Sequence, residues 1–76
     1  MTKVKICGLK RKEDIEFVNI LLPEYAGFVF AASPRQVSAE QAAKLRAELD
    51  LRVRTVGVFV KEDINFIKRL AAERII

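Results

Sequence analysis

Tyr25-Ala26-Gly27-Phe28-Val29-Phe30 and Thr55-Val56-Gly57-Val58-Phe59-Val60 decide the fold of this chain. Both are β-branched and aromatic runs with almost no polar alternation. That pattern marks strands buried on both faces, as in a parallel sheet covered by helices. A shorter run, from Lys3 to Cys7, comes first and reads as a third strand of the same sheet.

Helical patterns separate these runs. From Lys12 to Leu22, Ile15, Val18 and Leu22 fall at i, i+3 and i+7, and Pro23 stops the pattern. Ser38 with Gln41 forms a capping-box signature, leading into Ala42, Leu45 and Leu49 on one face. A third helix is expected from Glu62 to Arg74, with Ile64, Ile67 and Ala71 as its apolar stripe. Glu62 and Asp63 favour its positive amino end. The order is βαβαβα, with Gly27 and Gly57 at matching places in a weak repeat. This is an α/β chain of three parallel strands with helices, forming a single domain over residues 1–76.

Composition narrows the functions. The net charge is +4, but the basic residues are mixed with acids: Lys10-Arg11-Lys12 runs straight into Glu13-Asp14. This reads as a solvated face, and no nucleic-acid partner is expected. There is one cysteine and no histidine. An internal disulfide, a zinc site and a Cys-His or Ser-His-Asp pair are therefore ruled out. No metal is expected. A lone thiol without a signal peptide fits a cytoplasmic protein, and no stretch approaches the ~20 apolar residues that span a bilayer.

A chain this short buries roughly 60% of its unfolded surface and needs support. Association with another chain is the support still open to it. A three-stranded parallel sheet has two open edges and one face without helices. The hydrophobic stretches Gly27 to Ala31 and Val56 to Val60 predict that missing sequence or a partner covers that face. Ile75-Ile76 reads as an apolar run cut short.

Three places could carry chemistry. Cys7 ends the first strand beside Gly8. It reads as a general base or nucleophile, or as a small core residue, which is what most free cysteines are. Lys5 shares its parity and points to the same face. Arg35, in the loop Ala31 to Ser38 after the second strand, is placed to clamp a carboxylate or phosphate, or is simply solvated. The loop Gly8 to Lys12 has one glycine, so it is neither a P-loop nor a dinucleotide fingerprint; it reads as a basic surface turn.

Taken in order, Lys3-Val4-Lys5-Ile6-Cys7-Gly8-Leu9, Tyr25 to Phe30, Ser33-Pro34-Arg35, Val37-Ser38 and Val56 to Val60 resemble the amino-terminal part of the phosphoribosylanthranilate isomerases of tryptophan biosynthesis. The resemblance covers essentially the whole chain. It implies a partial (β/α)8 TIM barrel, of which this chain forms the first three βα units.

The resemblance also implies an Amadori rearrangement without cofactor. Phosphoribosylanthranilate becomes carboxyphenylamino-deoxyribulose phosphate. The family's general base falls on Cys7, and the arginine that binds the anthranilate carboxylate falls on Arg35. The family's general acid on strand six, its phosphate loops after strands seven and eight and its Gln-Leu-His-Gly motif on strand four have no counterpart in this chain. The expectation is an isomerase fragment, inactive alone, that binds its phosphosugar only when the barrel is completed. A self-associating or split-barrel subunit is the companion reading, as a homo-oligomer or with a complementary fragment. A non-enzymatic α/β interaction module is the third.

Overall fold

The computed structural model describes residues 4–60 and 62–76. Its elements are β1 (Lys5–Cys7), α1 (Lys12–Leu21), β2 (Tyr25–Val29), α2 (Ala39–Glu48), β3 (Arg54–Val58) and α3 (Ile64–Ala72). The strands form one parallel sheet in the order β1-β2-β3. The expected first-strand residue Lys3 lies outside the described residues. The third strand begins one residue before its expected start and ends at Val58 rather than Val60. No helix among the described residues is long and apolar enough to cross a membrane.

Alternation along the strands sorts the sheet into two faces. Ala26 and Phe28 are fully buried, and Phe30 nearly so, in one cluster with Ile15, Val18, Ala42, Leu45 and Leu70 from the helices. On the other parity, Lys5 and Cys7 are exposed, and Tyr25, Val29, Val56 and Val58 are half-buried. The helices therefore cover one face of the sheet and leave the other open, as a sheet of three βα units predicts, so the strands are not buried on both faces within this chain.

The repeat of glycines is less regular than their spacing suggests. The register pairs Gly27 with Val56, and Phe28 with Gly57. Gly27 thus lies on the open face and Gly57 on the helical face. At Gly57 a Cβ would lie 2.6 Å from the Phe59 ring. That ring stacks on Phe30 at 5.2 Å and meets the edge of Phe66 at 6.3 Å. The small residue there makes room for an aromatic cluster beneath the ends of β2 and β3.

The helix ends follow local chemistry. Ser38 Oγ accepts the Gln41 N–H at 3.1 Å, as the capping signature predicts. The Gln41 side chain instead donates to the Lys10 carbonyl at 3.2 Å, joining α2 to the loop after β1. Asp63 caps α3 by accepting the Asn65 N–H at 2.7 Å. The apolar stripe of α3 differs from the expected one. Leu70 is fully buried and Phe66 is half-buried, whereas Ile64 and Ala71 are exposed and only Ile67 of the expected set is half-buried. The aromatic cluster at Phe30 and Phe59 draws Phe66 inward and turns the helix with it.

The chain leaves α3 through a left-handed turn. Arg74 adopts φ 58, its N–H reaches the Ala71 carbonyl at 3.1 Å, and the Ile75 N–H reaches Leu70 at 2.9 Å. This is the Schellman pattern, with the apolar contact between Ile75 and Leu70 that accompanies it. Ile76 packs on the core beside Gly57. An arginine in the left-handed region is strained, while glycine is not. Arg74→Gly is expected to raise stability by about 0.5–1 kcal/mol. A urea denaturation midpoint that stays the same or falls would contradict this cap.

Candidate active site at the carboxyl ends of the strands

The loops after β1 and β2 meet above the sheet because the backbone directs them there. The Gly27 carbonyl accepts two N–H groups, from Gly8 at 3.0 Å and Leu9 at 3.1 Å. This turns the chain sharply after Cys7, and Gly8 sits at φ 87, where glycine is favoured. Lys10 Nζ then donates to the Pro34 carbonyl at 2.9 Å, tying the two loops together. The basic turn after the first strand is thus partly a structural clasp. After β2, the Val37 N–H returns to the Val29 carbonyl at 2.9 Å, and Gln36 Nε2 donates to Phe30 at 3.3 Å. These bonds set the course of the loop that carries Arg35.

Cys7 is exposed and unbonded as a thiol. It is not a core residue, because it lies on the open face of the sheet. Its Sγ lies 2.7 Å from the point a Cβ on Gly27 would occupy. Gly27 therefore leaves the space in which the sulfur sits. Arg35 packs its stem over Gly8, with Cγ 3.5 Å from the position of a Cβ there. Cys7 and Arg35 line one shallow cavity of about 220 Å³, together with Leu9, Asp14 and Phe17. The structure thus brings together the two residues singled out from sequence.

Asp14 organises the cationic side of this cavity. Its Oδ2 accepts the Arg11 N–H at 3.0 Å and the Lys10 N–H at 3.1 Å. Arg35 Nη1 stands 3.7 Å from the same oxygen, and Arg11 Nη2 stands 3.7 Å from the other. Partial burial opposes the charge on Asp14. The two backbone N–H groups and the guanidiniums of Arg11 and Arg35 outweigh it, holding the carboxyl below its ordinary range. Asp14 was not singled out from sequence. The available signal was an acid in the first turn of a helix that follows a basic loop. Among the described residues, no group of three or more Cys, Asp or Glu side chains is arranged to hold a metal ion.

The contact between Gly27 and Cys7 makes a prediction. Gly27→Ala should cost about 1–3 kcal/mol by crowding the thiol. In a Cys7→Ala background the same substitution should cost much less, giving a clear coupling in a double-mutant cycle. Equal costs in both backgrounds, measured by urea unfolding, would show that the sulfur does not occupy the space beside Gly27.

Comparison with known proteins places this arrangement. The family model for N-(5'-phosphoribosyl)anthranilate isomerase matches residues 4–75. An isomerase of that name from Thermoanaerobacter sp. is 56% identical over 71 residues, covering 93% of this chain and 35% of its own length. Two solved phosphoribosylanthranilate isomerases superpose closely. One, in complex with reduced 1-(o-carboxyphenylamino)-1-deoxyribulose 5-phosphate, gives a TM-score of 0.83 at 37% identity, over 96% of this chain and 38% of its own. The other is a monomeric form of the dimeric enzyme of Thermotoga maritima, with a TM-score of 0.84 at 40% identity and the same two coverages. The chain therefore spans about a third of the length of these relatives. Its three parallel strands and three helices form part of a TIM barrel, and the chain belongs to the phosphoribosylanthranilate isomerase family.

Proposed function

We propose that this chain supplies the general base and the carboxylate-binding arginine of a phosphoribosylanthranilate isomerase barrel. The observation that carries the reading is the shared cavity of Cys7 and Arg35 at the carboxyl ends of β1 and β2. Barrel enzymes of this type place their reacting groups at that end of the strands.

In this reading Arg35 receives the anthranilate carboxylate of the substrate. Its pairing with Asp14 at 3.7 Å is long and partly solvated, so it is worth little. A bidentate carboxylate on the guanidinium competes with it readily. The sugar then extends across the open face toward Cys7. An acid protonates the furanose ring oxygen, and the ring opens to a protonated imine. The Cys7 thiolate removes the proton from C2. The electron pair of that C–H bond forms the C1–C2 double bond while the π pair of the protonated imine moves onto nitrogen, giving a neutral enolamine that tautomerises to the ketose.

The acid and the phosphate grip lie on family strands that have no match in this sequence. A positioned acid or base contributes typically ~10²–10⁴-fold to rate. Without the phosphate grip, the binding energy that positions the sugar is lost as well. The chain alone is therefore inactive in this reading, and the phosphosugar binds once the remaining βα units close the barrel. A complementary polypeptide is the partner it needs.

The test mixes the chain with a polypeptide carrying the remaining five βα units of the Thermoanaerobacter isomerase. Conversion of freshly generated phosphoribosylanthranilate is followed by fluorescence. Turnover should be absent for either piece, appear in the mixture and fall by ~10²-fold or more with Cys7→Ala. Arg35→Ala should raise KM. Full turnover by the chain alone, or by the Cys7→Ala mixture, would refute the assignment.

A further inference from the structure

The open face of the sheet carries two positive charges at the end opposite Cys7. The register aligns Lys5 with Tyr25 and Tyr25 with Arg54 in one cross-strand row. Lys5 and Arg54 are exposed, and neither has a carboxylate partner among the described residues. Strand spacing of ~4.8 Å puts their Cα atoms roughly 10 Å apart.

Closing a barrel over this face would enclose both groups. Inward side chains of such barrels fill the interior, and Lys5 and Arg54 would both lie in its amino-terminal part. An enclosed cation without a partner is very costly, and arginine cannot escape by losing its proton. Among the described residues, that face offers the Tyr25 hydroxyl and no carboxylate. Glu24, the acid next to Tyr25 in sequence, has the opposite parity. The compensating charge must come from outside.

We infer that the partner completing this sheet brings carboxylates opposite Lys5 and Arg54. The inference rests on the barrel reading above and specifies the chemistry of the partner. A second copy of this chain does not fit. Facing copies would set Lys5 and Arg54 against Lys5 and Arg54, in a chain whose net charge is already +4. The open edge of β1 shows where the partner enters. A mostly apolar groove of about 460 Å³ lies there, lined by Val4, Ile6, Leu21, Leu22 and Pro23, with Glu24 and Arg52 at its rim. Phe17 and Leu21, one turn apart on α1, are more than half exposed beside it.

The experiment joins this chain through a flexible linker to the remaining five βα units of the Thermoanaerobacter isomerase. Thermal unfolding is then compared for the parent, Lys5→Met/Arg54→Met and Lys5→Glu/Arg54→Glu. Both positions are exposed in this chain alone, so circular dichroism of the unlinked variants checks that their folding is intact. The expected result is that the Met pair lowers the melting temperature of the joined protein and the Glu pair lowers it further. A Met pair that matches or exceeds the parent overturns the inference, because it shows that no carboxylate waits opposite. So does tight self-association of the unlinked chain that is abolished by the Glu pair. Turnover separates the two readings. A joined protein with Cys7-dependent activity that tolerates the Met pair defeats only the charge inference. One that needs Lys5 and Arg54 for stability but turns over without Cys7 defeats only the catalytic assignment.

Discussion

The pairing of Cys7 with Gly27 across β1 and β2 is the constraint on which the rest of the structure depends. Because the side-chain period of a strand is two, one register assigns every residue of the sheet to a face. With Cys7 opposite Gly27, Ala26, Phe28 and Phe30 must point to the helices, where they are buried. The same register puts Lys5, Cys7, Arg54 and Val56 on the open face. A slip of one residue would bury Lys5 and expose Ile6, which the helical core does not allow. Gly27 is also the residue that leaves space for the thiol, and its carbonyl turns the chain at Gly8. Fold and candidate site are thus fixed by one cross-strand contact.

The same face has two chemical halves. Toward the carboxyl ends of the strands it presents a thiol and an arginine over a shallow cavity. Toward the amino ends it presents Lys5 and Arg54 around Tyr25. In the proposed reading the first half still needs an acid and a phosphate grip, and the second shows no carboxylate partner among the described residues. The apolar residues left exposed at the β1 edge have the same origin, since α1 has one flank packed on the core and another without a neighbour.

Much of this was legible in the sequence, for definite reasons. The two glycine-containing runs are apolar on both parities, and strands of that kind alternating with helices mark a parallel sheet. Ser38 and Gln41 announced the start of α2, and the motif order gave the family. Other features depended on contacts that periodicity does not contain. The stripe of α3 is set by Phe30 and Phe59, which are distant in sequence, so Leu70 replaced Ile64 and Ala71 on its buried side. Gly27 and Gly57 match in spacing but not in register. The turn that ends α3 was hidden because a Schellman cap headed by Arg74 lacks the usual glycine signal. Asp14 was hidden because it holds the backbone of the loop before α1 rather than following an apolar period.

The central claim is that Cys7 is an accessible thiol on a face that becomes an interior when the barrel is completed. Iodoacetamide labelling of Cys7 tests this most directly, with the chain alone and after addition of the complementary five-unit polypeptide. The account predicts labelling of the isolated chain at a rate near that of an unhindered thiol, and marked protection in the complex. A thiol that is already slow to react in the isolated chain, or one whose rate is unchanged in a verified complex, would contradict it.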